Sequence, residues 1–195
     1  LLIFPFCVLY LSTRKNAIST YVYSIKGGDI IKQIPYNRAD AVGYAHKWAY
    51  SRNPLFYNFD KIGGDCTNFA SQVLFAGCKT MNYDKERGWY YKSLSDRSAS
   101  WTGVKYFADF LLGNKGAGPY AAVCELSELE PGDIIQLATV KDFFHHSPVV
   151  VEIAGAPSLD TILVAAHTYD CDYQPLSAYE IKKMRPLHIL GCRKP

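Results

Sequence analysis

The sequence predicts an α+β domain in which helices come first and an antiparallel sheet follows. Between Asn37 and about Arg52, the residues Ala41, Tyr44, Ala45, Trp48 and Ala49 recur at helical spacing. A second helical run follows Gly63-Gly64, with Phe69, Val73, Leu74 and Ala76 on one face. Beyond residue 130 the apolar residues fall instead into short runs of strand length: Ile134 to Ala138, Val149 to Val151, Ile162 to Ala166 and Leu187 to Leu190. Helices first and hairpin-connected strands afterwards is the α+β pattern.

The chain of 195 residues suits one compact domain plus a tail. We read residues 1–35 as the tail and 36–195 as the domain. A net charge of +3 is mild. It argues against nucleic acid as principal partner and is compatible with weak attraction to anionic polymers. The 15 tyrosines serve clefts as well as cores. Six cysteines occur (Cys7, Cys66, Cys78, Cys124, Cys171, Cys192), with no Cys-x-x-Cys pair and no histidine at zinc-finger spacing. With Cys66 a free nucleophile, an odd number remains, so a fully paired disulfide framework fails and most are expected to be buried thiols.

The chain opens with eleven mostly apolar residues, Leu1 to Leu11, and no initiating Met. They fall short of the ~20 needed to cross a bilayer. They read either as the end of a signal or anchor segment, through which alone membrane contact is expected, or as a core strand or helix. Residues 16 to 35 read as connecting chain with a turn at Gly27-Gly28. The first helix is capped by Asn37 or Asp40 and stopped by Asn53-Pro54. A loop carrying Tyr57 and Asn58 leads to the second helix. There Asp65 stands at the N-cap, Cys66 in the first turn and Gly77 at the stop. Unpaired N–H groups and the helix dipole at that end favour a thiolate, as a nucleophilic cysteine requires. Residues 79 to 99 lack periodicity and read as an extended loop, a length that usually signals function. Ser100 or Thr102 caps a third helix running to Leu112, with Val104, Phe107 and Leu111 inward and Gly113 just past its end. Glu130-Pro131-Gly132-Asp133 makes the turn into the strands.

The stretch Gly63-Gly64-Asp65-Cys66-Thr67-Asn68-Phe69-Ala70-Ser71-Gln72 resembles the signature of the putative amidase-domain family of bacteria. That family is similar to papain-like cysteine hydrolases, including NlpC-type cell-wall peptidases and CHAP amidases. Further matching blocks are Ser100 to Val104 with Tyr106-Phe107, Pro131 to Gln136, His146-Ser147 before a valine run, and Ala166-His167-Thr168 with Asp170. They occur in the family's order over about residues 36 to 176. The papain-type Cys-Gly-Ser/Ala-Cys pattern is absent, so the likeness is to the bacterial branch. It implies a papain-like cysteine hydrolase fold, N-terminal helices packed on a C-terminal antiparallel sheet.

A cysteine nucleophile needs a base and a group that orients the base. Among five histidines, His46 and His188 read as surface or packing residues. His145 and His146 stand at the mouth of a strand, and alternation lets only one face Cys66 unless Pro148 introduces a bulge. The resemblance puts the base at His146. It likewise implies His167 as the orienting group, with Asp170 as fallback. The Cys66 N–H is the natural first oxyanion donor, with Tyr57, Asn58 or Tyr44 as side-chain candidates. Asn68 is expected to brace the loop through hydrogen bonds.

These residues point to a cysteine-dependent amidase or peptidase, acting through an acyl-thioester on a peptide or peptidoglycan-like substrate, secreted or at a bacterial cell surface. An acyltransferase or a non-catalytic binding module on the same fold are the alternatives. No cofactor is expected, because neither a Gly-rich phosphate loop nor a His-Glu-x-x-His helix occurs. Turnover should therefore survive prolonged chelation; loss restored by zinc would displace the cysteine mechanism.

Overall fold

The computed structural model describes residues 8–14, 17–26, 29–140 and 143–195, with side chains from residue 31 onward. It is α+β, with helices α1 (Arg38–Trp48), α2 (Cys66–Cys78), α3 (Ala99–Thr102) and α4 (Val104–Gly113). The strands are β1 (Val8–Arg14), β2 (Ala17–Lys26), β3 (Asp29–Ile34), β4 (Gly118–Val123), β5 (Ile134–Ala138), β6 (Val149–Ile153), β7 (Ile162–Ala166), β8 (Cys171–Pro175) and β9 (Lys183–Lys194). They form one sheet in the order β1-β2-β3-β9-β5-β6-β7-β8, with β4 also on β9, and each described pairing is antiparallel.

Asn37 caps α1, its side chain accepting the Asp40 N–H at 3.1 Å. Ala41, Ala45 and Ala49 are fully buried at a four-residue spacing. Small side chains there let α1 lie close against α2 and against β6 and β7. Nearly all of α2 is buried, polar residues included. Its hydroxyls and amides find partners inward. Ser71 Oγ donates to the Trp101 carbonyl at 2.9 Å and accepts from Trp89 Nε1 at 3.0 Å. Trp101 Nε1 donates to Asn68 Oδ1 at 2.9 Å, so the third helical region packs on α2 through its tryptophan.

Several elements depart from the sequence expectation. Strands do not wait for residue 130. The stretch read as connecting chain holds β2 and β3, whose Tyr21-Val22-Tyr23 and Ile30-Ile31 are strand formers. Lys32 to Ile34 pair with β9 and join that hairpin to the main sheet. Leu1 to Cys7 and the turn expected at Gly27-Gly28 lie outside the described residues. The first helix ends at Trp48, short of Arg52, and β4 occupies a region with no strand signal because it opens on Gly-Pro. The helix expected from Ser100 to Leu112 is two pieces, broken where Gly103 takes an extended conformation; Ser98, not Ser100 or Thr102, stands at the first N-cap. The loop 79–99 carries two isolated bridges, Asn82 with Trp89 and Tyr91 with Arg97, which deliver Trp89 to the core.

Gly77 does not stop α2; Lys79, left-handed at φ 56°, does. Glycine at 77 answers a close approach instead. A Cβ there would stand 2.3 Å from the Tyr36 ring and 2.8 Å from the Asn37 carbonyl oxygen. Tyr36 is buried and its hydroxyl donates to the Gly132 carbonyl at 3.2 Å, so the ring has little room to yield. Gly77→Ala should lower the unfolding free energy by about 1–3 kcal/mol in chemical denaturation. An unchanged midpoint would mean that Tyr36 is not the fixed neighbour described.

Candidate active site

The entry to α2 turns through two left-handed glycines, Gly63 at φ 85° and Gly64 at φ 97°. A Cβ on Gly64 would stand 3.2 Å from Thr168 Oγ1, which itself accepts the Asp65 N–H at 2.9 Å. This seats the start of the helix against the end of β7.

Asp65 stands at the N-cap of α2, its carbonyl accepting the Phe69 N–H at 2.9 Å, but its side chain does not cap the helix. It is fully buried at φ −107°, ψ 0°, and its side chain makes no cap hydrogen bond. One carboxylate oxygen accepts from the Phe59 N–H and from Asn68 Nδ2, both at 2.9 Å. The other faces His167 Nδ1 at 2.6 Å, with Arg52 Nε at 3.5 Å. His167 Nε2 lies 2.8 Å from the Trp48 carbonyl oxygen. Both ring nitrogens thus meet oxygen atoms. The expected bond from His167 to His146 is therefore absent: both nitrogens of His167 are already committed, and its ring stacks on Phe69 at 4.1 Å. The fallback, Asp170, is held by Arg52 through two 2.8 Å contacts and also does not reach the base.

Cys66 is the first residue of α2 and only 6% exposed. Its Sγ lies 3.8 Å from Thr67 Oγ1 and 3.8 Å from the His145 carbonyl oxygen. Burial pushes the thiol above its ordinary range; hydrogen bonds from the Thr67 hydroxyl and from the Ser147 and Thr67 N–H groups work against this, and the Asp65 charge adds to it. The expected resting thiolate is corrected accordingly, because desolvation outweighs the helix terminus.

His145 and His146 separate by strand parity. His146 bridges Leu137 across to β5 and is buried, whereas His145 is exposed. Burial first, and then the charge of His145, push His146 down from 6.5 to about 4. Its Nε2 is buried without a hydrogen-bond partner among the described residues. The Tyr179 ring packs on it at 5.4 Å. Cys66, His146, Leu137, Tyr179 and Glu180 line one cavity of about 220 Å³, and the exposed His145 lines it as well.

The remaining candidates serve the scaffold. Asn68 also donates to the Tyr57 carbonyl at 3.1 Å and braces the loop. The Tyr57 N–H donates to the Tyr91 hydroxyl at 2.9 Å, and the Asn58 side chain accepts the Asp60 N–H at 2.8 Å; neither side chain lines the cavity. Tyr44 donates to Gln72 Oε1 at 2.6 Å and is absent from the cavity wall as well. His46 pairs with Asp172 at 2.9 Å, and His188 with Asp133 at 2.7 Å. Tyr179 escapes a sequence reading, since it follows a short turn 33 positions beyond His146 with nothing local to mark it. The site as built brings a protonated thiol at a helix start and a neutral imidazole to the wall of one largely apolar cavity.

Residues 35–190 match the family model described as a putative amidase domain. The chain is 38% identical over 153 residues to the uncharacterized protein YhbB of Bacillus subtilis (strain 168), covering 74% of this chain and 47% of that protein. The chain thus spans about half the length of this curated relative. No solved structure matches.

A histidine kept neutral by burial makes stability depend on pH. Below 6.5 the unfolded chain protonates His146 while the folded chain does so only near 4. The unfolded state then binds more protons, so stability present above about pH 6.5 is lost as pH falls towards 4, by about 3 kcal/mol. His146→Gln should flatten that part of the curve in denaturant titrations. An equal acid loss in the variant would assign it to other groups.

Proposed function

Since the chain belongs to the putative amidase-domain family, we propose that it is a cysteine-dependent amidase that cleaves amide bonds through an acyl-thioester on Cys66. The observation that carries this is that Cys66, at the N-terminus of α2, lines one cavity with His146, whose Nε2 is buried without a hydrogen-bond partner among the described residues. Buried polar atoms are ordinarily paired, so an unpaired imidazole nitrogen beside a cysteine at a helix start marks a site of chemistry rather than of packing.

In this reading the resting pair is neutral. His146 takes the thiol proton as sulfur attacks the carbonyl carbon, and the carbonyl oxygen becomes an oxyanion facing the Cys66 N–H. Collapse breaks the C–N bond, and the leaving amine takes the proton from His146. Water then attacks the thioester, giving its proton to His146; the carboxylic acid leaves as the thiol is restored. The apolar wall suits this sequence, because excluding water strengthens the few polar contacts at the reacting carbon. The substrate class proposed is peptide or peptidoglycan-like amide. An amine in place of water at the last step would make the same site an acyltransferase.

Release of new amine groups from purified peptidoglycan fragments should be seen with the wild type and vanish in Cys66→Ala. His146→Ala should lose roughly 10²–10⁴-fold, the usual worth of a positioned base. With His146 down to about 4, kcat/KM should hold through mildly acidic pH and fall near 4. A fall centred at 6.5 or above would contradict a buried neutral base, and turnover by Cys66→Ala would end the mechanism.

A further inference from the structure

A base must be held in one orientation to take a proton from sulfur, and hydrogen-bonding side chains commonly do this from behind the ring. Here the neighbouring candidates are committed elsewhere. His167 spends its nitrogens on Asp65 and Trp48, and Asp170 is held by Arg52. Gln136 donates to the Val104 carbonyl and accepts from Arg185. What does meet the His146 ring is aromatic: Tyr179, centroid to centroid 5.4 Å at 44°.

Resting on the reading of Cys66 and His146 as the reacting pair, we propose that Tyr179 is the positioning residue for the His146 base, acting through its ring rather than through a hydrogen bond. Three features make that ring a firm wall. Its hydroxyl is anchored 3.4 Å from the buried Sγ of Cys171, at the start of β8. Its side chain packs against the second apolar cluster, which includes Ile135, Leu137, Val150, Ile162, Val164 and Leu176. Its backbone N–H closes a short turn onto the Leu176 carbonyl at 3.2 Å. Burial, with Cys171 and Cys66 nearby, raises the phenol well above its ordinary range, so the ring stays uncharged beside the base. Tyr179 also lines the cavity with Cys66 and His146, so the ring that packs on the imidazole borders the space the reacting pair shares.

The test needs no substrate. A neutral thiol–imidazole pair exchanges its proton internally. The reactive ion pair is then equally populated at every pH between the two pKa values, and iodoacetamide labels Cys66 at a rate with a pH-independent component. The labelling rate at Cys66 is read by peptide mapping from about pH 5 to about pH 8, a range below the ordinary thiol pKa. The wild type should show the component, and His146→Ala should replace it with a rate that simply climbs with pH. Tyr179→Leu, which removes the ring, should lower the component by about tenfold or more, while Tyr179→Phe, which keeps it, should stay within about threefold. Thermal unfolding checks that each variant is folded, and Tyr179→Met substitutes for a Leu variant that is not. A Leu or Met variant labelled like wild type overturns the proposal. So does a Phe variant that loses as much as the Leu variant, since the hydroxyl would then be the active part. A wild type without the component removes the reacting pair, and Tyr179's role with it. Failure to cleave an amide leaves the labelling result intact, so the two readings fail separately.

Discussion

The buried carboxylate of Asp65 is what the start of α2 hangs on. It gathers the Phe59 N–H from the preceding loop, Asn68 from the helix itself and His167 from the end of β7. Through the other nitrogen of His167 it reaches the carbonyl at the end of α1. A carboxylate with no exposure is tolerable only when its oxygens are paired in this way, and removing one partner from such a pair costs about 3–5 kcal/mol. Everything downstream inherits that registration: Cys66 is the next residue, and its sulfur lies against the backbone that carries His145 and His146 only if the helix begins where Asp65 holds it.

This arrangement separates two tasks that a three-residue reading would merge. His167 and Asp65 hold the start of α2, while His146 packs against Tyr179 and lines the cavity with Cys66. The acid–histidine pair is therefore part of the scaffold, and the polar residues that look most chemical in the sequence are the ones most fully occupied with one another.

The helices were legible from the helical spacing of their apolar residues, and β5, β6 and β7 as short continuous apolar runs of strand length, since these strands are buried on both faces over most of their length. β4 was not, since it begins on Gly-Pro and is fixed by its neighbour β9 rather than by its own composition. Cys66 at a helix start could be read from Gly63-Gly64 and the apolar spacing; its burial could not, and burial decides the sign of its proton affinity. Asp65 has the right chemistry for a cap, but its backbone at ψ 0° turns the carboxylate away from the first-turn N–H groups and towards His167. Alternation alone could not choose between His145 and His146; the choice of His146 rested on the family resemblance. Its contact with Tyr179 depends on how β6 and the turn after β8 come together, which no local pattern records.

The low exposure of Cys66 carries a consequence for the protein's lifetime. Peroxides and stray disulfides attack thiolates that are open to solvent, and a sulfur that is both protonated and 6% exposed offers them little. Burial and a retained proton together thus make the resting sulfur a slow target for oxidants.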